Sequence, residues 1–412
     1  MLRRVLATWG TGDCGRLGHA TTMSVLRPRI VRSLLDQEIA TVACGGAHTL
    51  ALTTDGEVLA CGLNDRGQLG FGPDAPEEEA VFRPVPVPGH VTAIAAGSWH
   101  SLALTDDGTV WAWGDGSEGQ LGLGPRDAHE PFPCPVRALE GVKIEKICSG
   151  ANHALAVDAT GRVFSWGADA SGCLGHGQAS GRKYASENLF NWFAAGRGGE
   201  VYPRVIARLE TLKITDVAAG HVHSLAVSSD GALFSWGDGR AQQLGYVIPE
   251  TDKPMRVSIP PVAQVSAGGA HSLALSCSGK LLSWGANQNG VLGLGHRKEP
   301  QRGTISTIDL VATKIACGWK HSLAADGRGK LWAWGWGGSQ GDSAVGGGDG
   351  GQLGVGNAFD YWAPAQVRGL QAYSDGPVID VGPSPEPLWK ARSLAAGMLH
   401  SAAVIEVPPN LL

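Results

Sequence analysis

Seven times this chain spells a glycine, two variable residues and a histidine: His48, His100, His153, His223, His271, His321 and His400. The residues from each histidine onward read HTLAL, HSLAL, HALAV, HSLAV, HSLAL, HSLAA and HSAAV. Thirteen residues after each of the first six histidines stands the residue before another glycine: Cys61, Trp113, Trp166, Trp236, Trp284 and Trp334. Nine residues further comes the glycine of a Leu-Gly pair in five copies (Gly70, Gly122, Gly175, Gly245 and Gly293), and the sixth reaches Gly354 only after eleven extra residues. A period of about 50 residues marks a propeller, a solenoid or an array.

The stretch between histidine and tryptophan decides among these. LALTDDGTVWAWG, residues 102–114, alternates in polarity, turns on Asp-Gly and alternates again. Asp-Gly supplies the positive φ values that tight hairpins need. No long period-3.6 pattern occurs in these segments, so helical solenoids fit poorly and all-β blades fit well. The two ends are complementary halves: Trp9 and Gly18 stand at the nine-residue spacing with no histidine half before them, and His400 has no tryptophan half after it. Pairing the terminal strands with one another closes a ring and removes its open edges. The chain is therefore expected to be all-β, a closed seven-bladed β-propeller of four-stranded blades. It forms one domain over 1–412, with loop insertions near 176–201, 336–350 and 371–390.

One histidine per blade at an equivalent position is a repeated structural group. Zinc ligands must converge to within roughly 2.0–2.1 Å of one ion, which side chains spread around a ring do not do. All seven histidines, with Trp9, Trp113, Trp166, Trp236, Trp284 and Trp334, are read as structural, and no metal or cofactor is expected. Eight cysteines lack C-x-x-C spacing, and Cys44 and Cys317 take the place where other copies have Ala or Ser, so they too read as small core residues. Unpaired cysteines favour a reducing interior, cytoplasm or nucleus, with an organelle left open. Net charge −5 and pI near 6.2 disfavour non-specific nucleic-acid or acidic-membrane binding. No apolar run reaches the ~20 residues of a spanning helix.

At this point the repeat GSWHSLALTDDGTVWAWGDGSEGQLGLG resembles that of the regulator of chromosome condensation family, across essentially the whole chain. The resemblance implies a propeller whose members include exchange factors for the small GTPase Ran, the plant UV-B photoreceptor, and scaffolds. Fold alone does not choose among them. The two residues between motif glycine and histidine should line one face of the disc. They are Gly46-Ala47, Ser98-Trp99, Ala151-Asn152, His221-Val222, Gly269-Ala270, Trp319-Lys320 and Met398-Leu399. The Ran exchange factor has an essential aspartate in such a slot, whereas none of these fourteen residues is acidic, and the chain shows no basic N-terminal tail. The photoreceptor repeats Gly-Trp-Arg-His-Thr, and here only GWKHS, residues 318–322, comes close.

The function expected is a non-enzymatic protein-interaction propeller, with nucleotide exchange on a small GTPase as its sharpest form. A UV-B photoreceptor built on a Trp319-centred cluster is the alternative. No catalytic residue is assigned, because no nucleophile elbow, zinc helix or dinucleotide-binding glycine set is present. Partner-binding candidates are Trp99, Asn152, His221, Trp319, Lys320 and Met398 in the slots. The first insertion adds Arg182, Lys183, Phe190, Trp192 and Phe193, an aromatic and basic mixture typical of contact surfaces. The second insertion reads as a flexible glycine-rich loop and the third as irregular, with Trp389 as its anchor. The partner is a protein, and the choice between monomer and homodimer stays open.

Overall fold

The computed structural model describes residues 2–125, 129–177, 199–338, 350–373, 378–381 and 388–412. Seven antiparallel sheets are arranged around an axis, and among the described residues there are short 3-10 turns but no α-helix. Six sheets have four consecutive strands each and form blades 1 to 6, at residues 39–85, 91–135, 144–205, 214–256, 262–311 and 314–367. Blade 7 combines Lys390–Ala396 and His400–Val407 with Arg3–Gly10 and Val25–Ile30. Its two halves are joined in one register from Arg3↔Val407 to Gly10↔His400. The closed ring read from the repeat is the fold.

The five-residue run that begins at each motif histidine now has a spatial meaning. Successive side chains of a strand point to opposite faces, and both faces of a blade are covered by neighbouring blades. In blade 1, Leu50 and Leu52 pack toward blade 2 while Ala51 packs toward blade 7. In blade 3, Leu155 and Val157 face blade 4, and Ala154 and Ala156 face blade 2. The core is thus divided into seven apolar seams, one between each pair of neighbouring blades. Each seam receives the large side chains of one blade and the small ones plus the tryptophan of the next. Trp9, Trp113, Trp166, Trp236, Trp284 and Trp334 are fully buried there, and Cys61 fills the same place in blade 1.

The third insertion departs from the irregular conformation expected of it. Leu370–Tyr373 and Val378–Val381 form a hairpin that continues the closing sheet, so that blade 7 has six strands. The hairpin meets the outer strand of the blade in parallel at Arg29↔Gln371. Arg29 Nε donates to Gln371 Oε1 at 2.7 Å, and Arg27 pairs with Asp380 at 3.2 Å. Leu370, Ala372 and Trp389 are buried in the same seam as Trp9, so Trp389 does anchor the segment. Burying these apolar groups outweighs the turn-forming composition around them.

The closing seam tolerates no charge. Val404 is fully buried opposite Leu6, and Val404→Asp is expected to cost more than about 3 kcal/mol because an unpaired carboxylate is buried. A urea melt with an unchanged midpoint would refute this.

Candidate functional site

Within each blade, the loop between inner and second strands carries the Gly-x-x-His motif, and the third strand ends beside it, as His48↔Gly62 and His100↔Gly114 show. All seven motif loops therefore lie on one face. They are tied into a closed cycle by backbone hydrogen bonds from blade to blade. Gly46 N donates to Gly97 O, Ala151 N to Gly220 O, His221 N to Gly268 O, Gly269 N to Gly318 O, Trp319 N to Gly397 O and Met398 N to Gly45 O, at 3.1–3.3 Å. The remaining link runs from Ser98 N to Ala151 O at 3.0 Å, one residue beyond the motif glycine used elsewhere.

Beneath this cycle each histidine reaches into the neighbouring blade. His48 Nε2 lies 3.0 Å from Ser101 Oγ, and Ser101 Oγ donates to Gln68 O at 2.8 Å. Trp113 Nε1 donates to that same carbonyl at 2.9 Å. Because the serine hydroxyl already spends its proton on the carbonyl, it accepts from the imidazole, which must carry its proton on Nε2. The same latch joins His153 to Ser224, His223 to Ser272, His271 to Ser322, His321 to Ser401 and His400 to Thr49, at 2.8–2.9 Å. Burial pushes His48, His153, His223 and His321 down to about 3 and His100 and His271 to about 4, and it holds His400 well below its ordinary value. All seven are neutral at physiological pH. The motif glycine follows from the same packing: a Cβ on Gly97 would lie 2.1 Å from His100 Cε1.

The motif loops surround a central cavity of about 110 Å³ that is open to solvent. Its wall is made by the motif glycines, the residues before them and the first slot residues: Gly46, Ser98, Ala151, His221, Gly269, Trp319 and Met398. The structure thereby separates the candidates. His221, Trp319 and Met398 line the cavity, while Trp99, Asn152 and Lys320 occupy the second slot position outside that wall. The carbonyls of those three accept from Asp115, Ala168 and Trp336 at 2.8–2.9 Å, which fixes their loops. Arg182, Lys183, Phe190, Trp192 and Phe193 lie outside the described residues.

One cluster stands out on this face. The Trp319 indole lies against Gly269 of the preceding blade, where a Cβ would be 2.4 Å from its Cδ1. Trp336, which follows the blade's own Trp-Gly pair, meets Trp319 edge-on at 6.4 Å and 87°. Lys320 Nζ sits 4.4 Å from the Trp319 ring centre and 5.3 Å from that of Trp336. An ammonium over two indole faces is held by their quadrupoles. Trp336 was within reach of sequence reading, as part of WAWGWG, but its contact with position 319 depends on the loop geometry.

Of three loop histidines without evident partners in the sequence, two acquire ring partners in space and the third engages through its backbone. His176 Nε2 lies 3.0 Å from Ser165 Oγ. His129 lies 2.9 Å from Arg66 Nη1 and 3.2 Å from Asp115 Oδ1. The backbone carbonyl of His296 accepts from Asn287 Nδ2 at 2.8 Å. The cysteines are free, and burial pushes the Cys317 thiol up to about 12. Among the described residues no group of three His, Cys, Asp or Glu could hold a metal ion, and no helix is long and apolar enough to cross a membrane.

One known family, described as the RCC1-like domain, matches residues 5–406. The chain belongs to this family. It is 31% identical over 380 residues to the ultraviolet-B receptor UVR8 of Arabidopsis thaliana, covering 89% of this chain and 78% of that protein. It is 34% identical over 243 residues to the human E3 ubiquitin-protein ligase HERC2, a match to 58% of this chain that spans only 5% of HERC2. The crystal structure of Prp20p from Saccharomyces cerevisiae superposes with a TM-score of 0.76 at 24% identity, covering 98% of this chain and 92% of that one. That likeness speaks to the fold.

The neutral histidines give the RCC1-like ring a defined acid response. Unfolded, they would protonate near pH 6.5, whereas the folded seams refuse the proton until about pH 3–4. Their contribution is fully present above the unfolded value and is lost as pH falls, at up to about 1.4 kcal/mol per pH unit for each histidine. The melting temperature should therefore drop steadily between pH 7 and pH 5. A flat profile over that range would show that the histidines are not buried in neutral form.

Proposed function

We propose that this chain is a non-enzymatic protein-interaction propeller that engages a protein partner through the face carrying the motif loops. The observation that supports this reading is the Trp319–Lys320–Trp336 cluster at the mouth of the cavity. Six of the seven first slot positions hold Gly, Ser, Ala, His or Met, and one holds a half-buried tryptophan. Tryptophan is enriched among residues that dominate binding energy. Trp99, Asn152, His221 and Met398 complete the proposed contact area. The wide ring supplies a rigid base on which such contacts need little ordering.

The sharpest form of the proposal is nucleotide exchange on a small GTPase. The published structure of Prp20p is titled for binding to Gsp1p and histones, and that partner class carries over here as a proposal. With no acidic residue among the slots, exchange by this chain would rest on aromatic and cationic contacts. The proposed setting is intracellular. Trp319→Ala and Lys320→Ala, combined, are expected to weaken capture of the partner by about 30-fold, equivalent to about 2 kcal/mol, with the melting temperature kept. The readout is affinity capture by wild type and variant, followed by release of a fluorescent guanine nucleotide from any GTPase found. Equal capture by both proteins would remove the cluster from the interface. A captured GTPase that releases nucleotide no faster would leave binding and eliminate exchange.

The same indole pair favours a second reading, a UV-B receptor, since UVR8 is a relative and Trp319 and Trp336 are in contact. Gel filtration before and after UV-B irradiation tests it. An unchanged elution volume sinks the photoreceptor reading and leaves the interaction reading intact.

A further inference from the structure

The seam between blades 2 and 3 breaks the rule that the other seams obey. His100 is fully buried, yet neither of its ring nitrogens has a hydrogen-bond partner among the described residues. The reason lies in two residues of blade 3. Where six copies place Ser or Thr after the motif histidine, this copy has Ala154. Where the other copies place Ala or Cys before the motif glycine, this copy has Ser149. Ser149 and Ala154 are direct cross-strand partners, so their side chains leave the sheet on the same side, toward blade 2. The hydroxyl has been moved across the strand pair.

From its new place the hydroxyl does not reach the imidazole. Ser149 Oγ is itself buried without a hydrogen-bond partner. The third member of the latch, Gln120 O, keeps its bond from Trp166 Nε1 at 2.9 Å, but it lacks the second bond that Gln68 O accepts from a serine hydroxyl in the neighbouring seam. Three polar groups of one seam are thus left with hydrogen-bonding capacity unspent. Ser149 and Ser98 also line the central cavity, which gives the locus a route to solvent. At this same seam the loop cycle shifts, with Ser98 N bonding Ala151 O.

We propose that this seam holds an internal water-binding site, in which a single water molecule takes the role of the missing hydroxyl. The water accepts from His100 Nε2 and donates to Gln120 O, and its second proton goes to Ser149 Oγ. A polar locus with two to four partners is what a buried water requires, and leaving such groups unpaired carries their full desolvation cost. The site makes this seam of the ring exchangeable with solvent.

A double-mutant cycle tests this. Ala154→Ser restores the direct latch and is expected to raise the melting temperature by roughly 1 °C, about 1 kcal/mol in a chain of this size. Ser149→Ala alone removes one holder of the water and is expected to lower it. In the Ala154→Ser background, Ser149→Ala should be neutral or stabilising, because the hydroxyl there has lost its purpose. An unbridged, merely unsatisfied Ser149 behaves otherwise: its alanine variant would stabilise both backgrounds equally, and that result overturns the proposal. A crystal structure showing ordered solvent is the second measurement. Density within hydrogen-bond distance of both His100 Nε2 and Ser149 Oγ supports the site, and direct contact between the two side chains rules it out.

Discussion

A single backbone carbonyl per seam organises the rest of this structure. Gln68 O accepts from the Ser101 hydroxyl and from the Trp113 indole, both in the next blade, while His48 of its own blade feeds the serine. Four residue types that look unrelated along the chain thereby become one hydrogen-bonded unit. The glycine before each histidine leaves room for the imidazole packed against it, and the small residue after the histidine lies directly across the strand pair from its own blade's tryptophan, as Ser101↔Trp113 shows. Each blade lacks a complete core of its own, so its stability is a property of its neighbours. In so dry a place, leaving the hydroxyl or the indole N–H of this unit unpaired would be costly.

Much of this was legible because the repeat repeats. Aligning the copies displayed the period, the hairpins and the complementary ends, and those three together leave little besides a closed ring. The hairpin at residues 370–381 was hidden for a physical reason. Its strands are four residues each and are stabilised by burial of Leu370 and Ala372 against a distant part of the chain, not by local preference. The slot residues show a subtler limit. Trp319 and Lys320 are adjacent in sequence, yet one lines the cavity and the other folds back over the indoles. Loop dihedrals decide that, and spacing does not encode them. His129 and His176 lacked visible partners for a similar reason, since Arg66 is far away in the chain and Ser165 meets its histidine through a loop.

Function on such a scaffold is carried by departures from the repeat. Glycine, serine and alanine at the slots let the loops close over the axis, so a tryptophan there is conspicuous both sterically and chemically. The exchange of Ser149 and Ala154 is another departure, visible as soon as the copies are aligned but meaningful only once their cross-strand pairing is known. A third is Cys61, whose thiol stands 3.5 Å from Arg16 O where the other blades direct an indole at the equivalent carbonyl.

The closing blade has a consequence for how the protein is made. Arg3–Gly10 leaves the ribosome long before its partner His400–Val407, with six blades made between them. While the six intervening blades are made, the early strands present an unpaired edge, at elongation rates of about 5–20 residues per second. Contacts of such long sequence separation form late, after most of the loop-closure entropy has been spent. Arg27 and Arg29, which later bind the 370–381 hairpin, also put positive charge on the outer strand of that waiting pair. Charge at a strand edge discourages pairing with foreign chains. The nascent ring thus carries its own protection against sticking until its last strand arrives.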